Sequence, residues 1–112
     1  MRSGRRVLVI DDETAIRETL EMFLVEKGLE VFQAGAGLEG LRKFVELRPS
    51  LVILDIRLPD ISGMEILKKI LEIDSDAKII MITAFHDMET TIDAMRHGAF
   101  DYIHKPIDVD EL

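Results

Sequence analysis

The stretch Val7-Leu8-Val9-Ile10-Asp11-Asp12-Glu13 reads VLVIDDE, four aliphatic residues and then three carboxylates with no base beside them. An unbroken aliphatic run of this kind suits a strand buried on both faces, as in a parallel sheet. The acids are harder to place. At an effective dielectric of about 20, two unit charges about 4 Å apart repel by roughly 4 kcal/mol. A chain that needed only solubility could scatter them. The cluster is therefore either a solvated turn or the wall of a cation site.

Similar apolar runs recur along the chain. They are Leu29 to Phe32 (broken by Glu30), Leu51 to Leu54, Ile79 to Ile82 and, more weakly, Tyr102-Ile103. Between them lie segments with helical spacing. Ile16, Leu20, Phe23 and Leu24 make one stripe, and Leu38, Leu41, Phe44 and Val45 a second. Met64, Leu67, Ile70 and Leu71 make a third, and Met88, Ile92, Met95 and Ala99 a fourth. Gly28 and Gly98 fall just past the first and fourth stripes, where a left-handed residue closes a helix. Ser62-Gly63-Met64-Glu65 reads as a capping box, and Asp108-Val109-Asp110-Glu111 resembles one with Asp as the cap. The order βαβαβαβαβ followed by a helix start predicts an α/β domain with five parallel strands and helices on both faces.

The 112 residues suit one domain with a single core. Apolar residues make up 47% and charged residues 32%, as in ordinary globular proteins. A formal charge of −8 argues against direct nucleic-acid binding, since no basic surface could neutralise phosphates. There is no cysteine, so disulfides and thiolate metal sites are excluded. Met1 to Arg6 carries the charge of a signal-peptide start, but the apolar run after it is too short. No run approaches the roughly 20 apolar residues that span a bilayer. The expectation is a cytoplasmic chain that makes no use of a membrane. Because it stops at Leu112, just inside its last helix, the fifth helix reads as truncated. Residues 1–112 read as the N-terminal part of a longer protein.

Open parallel sheets bind ligands outside the carboxyl ends of their strands. The first strand ends in Asp11-Asp12, the third in Asp55, the fourth in Thr83 and the fifth in His104-Lys105-Pro106. Three carboxylates with oxygen-only chemistry suit a hard cation. Mg²⁺ fits best, because it takes one or two protein carboxylates and keeps several waters. A backbone carbonyl shortly after Asp55 could complete the protein's share. With Thr83 as a donor and Lys105 as a fixed charge, the set describes a site for a phosphoryl group on a carboxylate. Taken singly, Asp12 or Glu13 reads equally well as a helix cap, and Lys105 as a solvated side chain. His86, His97 and His104 have no zinc spacing, and His86 reads as solvent-exposed.

Asp11-Asp12, Asp55, Thr83-Ala84 and Lys105-Pro106, with Leu58-Pro59-Asp60-Ile61-Ser62-Gly63 between them, resemble the receiver domain of two-component response regulators. The match covers essentially the whole chain. It is similar to receivers of transcription activators of the nitrogen-regulation type.

The resemblance implies a flavodoxin-like, doubly wound sheet with strand order 2-1-3-4-5. It implies that Asp55 accepts a phosphoryl group from a sensor histidine kinase. Asp12, Asp55 and the backbone carbonyl of Arg57 would hold Mg²⁺ directly, and Asp11 mainly through water. Thr83 and Lys105 would each bind a phosphoryl oxygen, and Tyr102 would be the switch aromatic. The Lys105–Pro106 peptide is expected to be cis. Arg57 and Phe85 would border the phosphoryl group and slow the approach of water. The signal would pass through the face of the fourth helix, fifth strand and fifth helix to an output domain or to a homodimer. The domain itself would be a switch and not an enzyme.

Three rivals are weaker. An aspartyl-phosphate phosphatase would need an Asp-x-Asp motif, and here the acids are adjacent. A phosphorylation-independent module usually lacks one of the site residues, and all are present. A flavodoxin-like cofactor binder would need a phosphate loop after the first strand.

Overall fold

The computed structural model describes residues 3–107, in which strands and helices alternate. Strands β1 (Ser3–Ile10), β2 (Glu30–Ala34), β3 (Pro49–Asp55), β4 (Lys78–Thr83) and β5 (Asp101–His104) form one parallel sheet in the order β2-β1-β3-β4-β5. The crossovers are helices α1 (Thr14–Glu26), α2 (Gly37–Leu47), α3 (Gly63–Ile73) and α4 (Met88–Arg96). This is the doubly wound, flavodoxin-like arrangement expected. The fifth helix and the Asp108 capping box lie outside the described residues.

The opening aliphatic run explains itself once β1 is central. Val7 to Ile10 pair with Val31 to Ala34 on one side and with Leu51 to Leu54 on the other. Because side chains alternate across a strand, Leu8 and Ile10 enter one core with Phe44, Leu54, Ile66, Leu67 and Met81. Val7 and Val9 enter the other, with Leu20, Leu24, Ile53 and Ile82. Each fully buried aliphatic side chain contributes roughly 1.5–3 kcal/mol, so neither face of the central strands can be polar.

Two of the expected helical stripes hold only in part: Leu41, Phe44, Met95 and Ala99 pack on the core, but Leu38, Val45 and Ile92 face outward. In α2, Leu38 and Val45 are 55% and 49% exposed, while Gly37, Gly40 and Phe44 are buried. The cause is close approach: a Cβ at Gly40 would stand 2.5 Å from Ile10 Cδ1, and one at Gly37 2.5 Å from Ile61 Cγ2. In α4, Ile92 is 47% exposed and the buried residues are Thr91 and Ala94. Small side chains again let a short helix sit close to the sheet.

The helix ends follow the sequence better. Gly28 (φ 85) and Gly98 (φ 116) adopt the left-handed conformation beyond α1 and α4. Helix α2 instead ends on Arg48 at φ 45, which no glycine announced. Ser62 Oγ accepts the Glu65 N–H at 3.2 Å, the cap expected for α3.

Candidate functional site

The parallel register brings four chain-distant residues to one end of the sheet. Asp11 follows β1, Asp55 ends β3, Thr83 ends β4 and Lys105 follows β5. Carboxylate oxygens of Asp11, Asp12 and Asp55 lie within 4.8 Å of one another. Asp11 and Asp55 are buried and Asp12 is exposed. The local backbone aims them. Asp11 N–H donates to the Ala34 carbonyl at 3.1 Å, and the Arg17 guanidinium reaches back from α1 to the Asp11 carbonyl at 2.6 Å. Asp11 Oδ1 accepts the Glu13 N–H at 2.8 Å. Glu13 occupies the N-cap position of α1 but makes no side-chain capping bond. Capping therefore leaves the cluster of carboxylates unexplained.

Asp55 is held at both oxygens. Oδ1 accepts the Arg57 N–H at 3.1 Å, and Oδ2 accepts from Lys105 Nζ at 3.0 Å. Lys105 Nζ is also 3.3 Å from Glu13 Oε1 and 3.7 Å from Asp11 Oδ2. The Lys105 N–H donates to the Thr83 carbonyl at 2.8 Å, and the Lys105–Pro106 peptide is cis. Behind Asp55 the first residue of α3 must be glycine. A Cβ at Gly63 would stand 2.1 Å from the Asp55 carbonyl oxygen.

One ammonium among so many carboxylates leaves the site short of positive charge. Burial, with repulsion from Asp55, pushes the Asp11 carboxyl up to about 6 against the pull of the Glu13 N–H and Lys105. Burial raises Asp55 too, opposed by the Arg57 N–H and by Lys105. For Lys105 burial works downward, but the hydrogen bond and attraction of Asp55, with Asp11 and Glu13, more than reverse it. Asp11 Oδ2 is buried and has no hydrogen-bond partner. A buried charged oxygen without a donor is costly, and a divalent cation among the three carboxylates would remove that cost. The donor set is all oxygen and suits Mg²⁺ or Ca²⁺.

Thr83 is buried at the end of β4, but its hydroxyl is engaged away from Asp55. It donates to the Ala84 carbonyl at 3.1 Å and accepts from the Thr91 hydroxyl at 2.7 Å. The Arg57 side chain also turns away, toward Asp87 at the start of α4. Its Nε lies 2.9 Å from Asp87 Oδ2 and its Nη2 2.7 Å from Oδ1. That pair holds the Asp87 carboxyl below the usual range against the effect of burial. Tyr102 is 37% exposed, its ring edge-on to His104 at 5.3 Å. His86 is exposed, and His97 Nδ1 lies 2.9 Å from the Asp93 carbonyl at the end of α4. The side chain of Phe85 lies outside the described residues.

The pattern of the response regulator receiver domain family matches residues 7–112. The chain belongs to this family. As a receiver domain it is the phosphorylation-signalling part of a two-component response regulator. The receiver is similar to the regulatory protein AtoC of Escherichia coli strain K12, 37% identical over 112 residues. These are 100% of this chain and 24% of AtoC. It is also similar to the sporulation initiation phosphotransferase F of Bacillus subtilis strain 168, 35% identical over 109 residues, 97% of this chain and 88% of that protein. A solved receiver domain protein from Clostridium thermocellum superposes with a TM-score of 0.90 at 38% identity. The superposition covers 95% of this chain and 86% of that one. The receiver thus spans about a quarter of AtoC but most of the other two.

Four residues of the receiver's site went unassigned in the sequence. Arg17 straps the Asp11 carbonyl, while Asp87 and Thr91 engage Arg57 and Thr83. Asp60 accepts the Gly37 and Leu38 N–H groups at 2.8 and 2.9 Å, tying the loop after Asp55 to the start of α2. Of these only Asp60 carried a signal, since it lies in the Leu58-to-Gly63 segment.

Proposed function

We propose that Asp55 of this receiver accepts a phosphoryl group from the phosphohistidine of a sensor histidine kinase. The observation that carries this reading is the setting of Asp55. It is buried at a strand end, fixed at one oxygen by Lys105 and at the other by a backbone N–H, beside a carboxylate oxygen that lacks a donor. An Asp55 carboxylate oxygen attacks phosphorus as the P–N bond breaks. The electron pair of that bond stays on the imidazole, and an acyl phosphate remains on Asp55. Asp12, Asp55 and the Arg57 carbonyl would hold Mg²⁺ directly, with Asp11 acting mainly through water. When bound, the ion neutralises charge on the phosphoryl oxygens. Lys105 stays within reach of the new group, and Thr83 must turn toward it.

The domain acts as a switch and not as an enzyme with a separate substrate. Phosphorylation adds about −1.5 to −2 charges and three strong acceptors. The bonds of Thr83 and Lys105 to that group form only in the phosphorylated state, so they shift the population of the loop after β4. The readout is the face of α4, β5 and the fifth helix, with Tyr102 as the switch aromatic. Ile92, Phe100 and Tyr102 expose apolar surface there for an output domain or a second copy. On the likeness to the transcriptional regulatory protein TrcR of Mycobacterium tuberculosis, 36% identical over 107 residues and spanned to 42% by this chain, we assign the output to transcription through a part outside this chain. A net charge of −8 speaks against direct nucleic-acid binding by the receiver. Among the described residues no helix is long and apolar enough to cross a membrane, and the proposed location is the cytoplasm.

Intact mass after incubation with Mg²⁺ and acetyl phosphate tests the reading. Wild type should gain one phosphoryl group and Asp55→Asn none. Uptake by Asp55→Asn equal to wild type would sink the assignment.

A further inference from the structure

The β4 side of the crevice carries a continuous polar chain that phosphoryl transfer itself does not need. Thr91 Oγ1 donates to Thr83 Oγ1 at 2.7 Å and lies 2.9 Å from the Asp87 carbonyl, one turn back on α4. Asp87 is in turn gripped by Arg57, two residues beyond Asp55. Both threonines are buried. We propose that Thr91 is a positioning residue for Thr83, a hydroxyl latch that keeps the switch threonine turned toward α4 until an anionic acceptor forms on Asp55. The proposal deepens the phosphoacceptor reading and rests on it.

The exchange is unequal. To reach a phosphoryl oxygen, Thr83 must give up Thr91. Release costs that one bond but orphans no buried hydroxyl, because the Asp87 carbonyl remains as the acceptor for Thr91. Thr83 at the same time moves the bond it donates from the neutral Ala84 carbonyl to a charged phosphoryl oxygen, and charge-assisted hydrogen bonds are roughly twice as strong. The latch therefore holds against water or a neutral ligand and yields to a phosphoryl group. Because Thr91 lies in the buried face of α4, its release frees that helix as Thr83 moves. A valine at position 91 would fill the same volume without the hydroxyl, so a purely structural role predicts no change in the switch.

The probe is beryllofluoride, a stand-in for the phosphoryl group, titrated with excess Mg²⁺ and followed by NMR at the Thr83 amide. Thr91→Val should half-saturate at a concentration lower than wild type by roughly two- to tenfold, the worth of one net hydrogen bond. Thr91→Ser, which keeps the hydroxyl, should match wild type. Without beryllofluoride, Thr83 side-chain couplings should report one rotamer in wild type and Thr91→Ser, and averaging in Thr91→Val. Thr91→Ala offers the same comparison should the valine variant fold poorly. An unchanged midpoint with a single Thr83 rotamer in the hydroxyl-less variants overturns the latch alone. A wild type that takes up no beryllofluoride overturns the phosphoacceptor reading and the latch with it.

Discussion

On the β1 side of the crevice, two buried carboxylates share one ammonium, and Asp11 Oδ2 has no donor. On the β4 side, Arg57 and Asp87 form a two-point ion pair, and the hydroxyls of Thr83 and Thr91 are both engaged. The first side is electrically incomplete and calls for a cation. The second is complete as it stands, and under the proposed latch it comes apart to signal. A binding site and a switch can thus adjoin in one small domain if one is built short of charge and the other is built fully paired.

The largest effect expected is the loss of phosphoryl uptake in Asp55→Asn, since both sides converge on that carboxylate. Next comes Gly63→Ala. A methyl group driven to 2.1 Å from the Asp55 carbonyl must displace α3 or β3. We expect a cost of about 3 kcal/mol or more in denaturant unfolding, because backbone cannot yield as a side chain does. Such a change disturbs both sides together.

Asp11→Asn separates them. It should weaken Mg²⁺ binding, followed by calorimetry, yet stabilise the metal-free chain. The folded-state pKa of Asp11 lies at about 6 against 3.8 for the ordinary group, so the folded chain holds that proton more tightly than the unfolded one. The penalty is absent below the ordinary value, grows between the two and is complete above the higher. With EDTA present, wild type should therefore lose about 1–3 kcal/mol relative to Asp11→Asn as pH rises from about 4 to 7. Saturating Mg²⁺ should abolish this difference. A wild type that instead gains stability over the variant across that range would mean that Lys105 already neutralises the site.

The smallest effect belongs to Arg57 and Asp87. The guanidinium is well exposed, so a double-mutant cycle of Arg57→Ala and Asp87→Asn should return a small coupling that shrinks in high salt. A coupling insensitive to salt would place the pair among buried interactions and narrow the contrast between the two sides.

The sheet was legible because strands buried on both faces leave unbroken aliphatic runs, and Val7 to Ile10 is such a run. The cluster at its end was legible because parallel strands deliver their last residues to one edge. Asp11, Asp55 and Lys105 do meet there. What the chain did not announce depends on rotation and distance. The stripe through Ile92 was right only in part: Met95 and Ala99 pack on the core, but Ile92 is exposed, and Thr91 and Ala94, which are buried, are too small or too polar to register as a core face. Leu38 and Val45 misled in the same manner, since glycine carries no hydropathy. The Arg57–Asp87 pair joins residues 30 positions apart, and no periodicity marks it.

Helix α3 buries Ile66, Leu67 and Ile70, whereas α4 buries only Thr91 and Ala94. The free energy of local opening follows the apolar surface that must be exposed. Amide hydrogens of α4 should therefore exchange with solvent through partial opening, long before those of α3, which wait for the whole domain. Among the described helices, the one proposed to carry the signal is also the one with the least apolar anchorage. A partner that captures α4 in an altered position has only a shallow well to empty, and the rest of the domain stays folded while it does so.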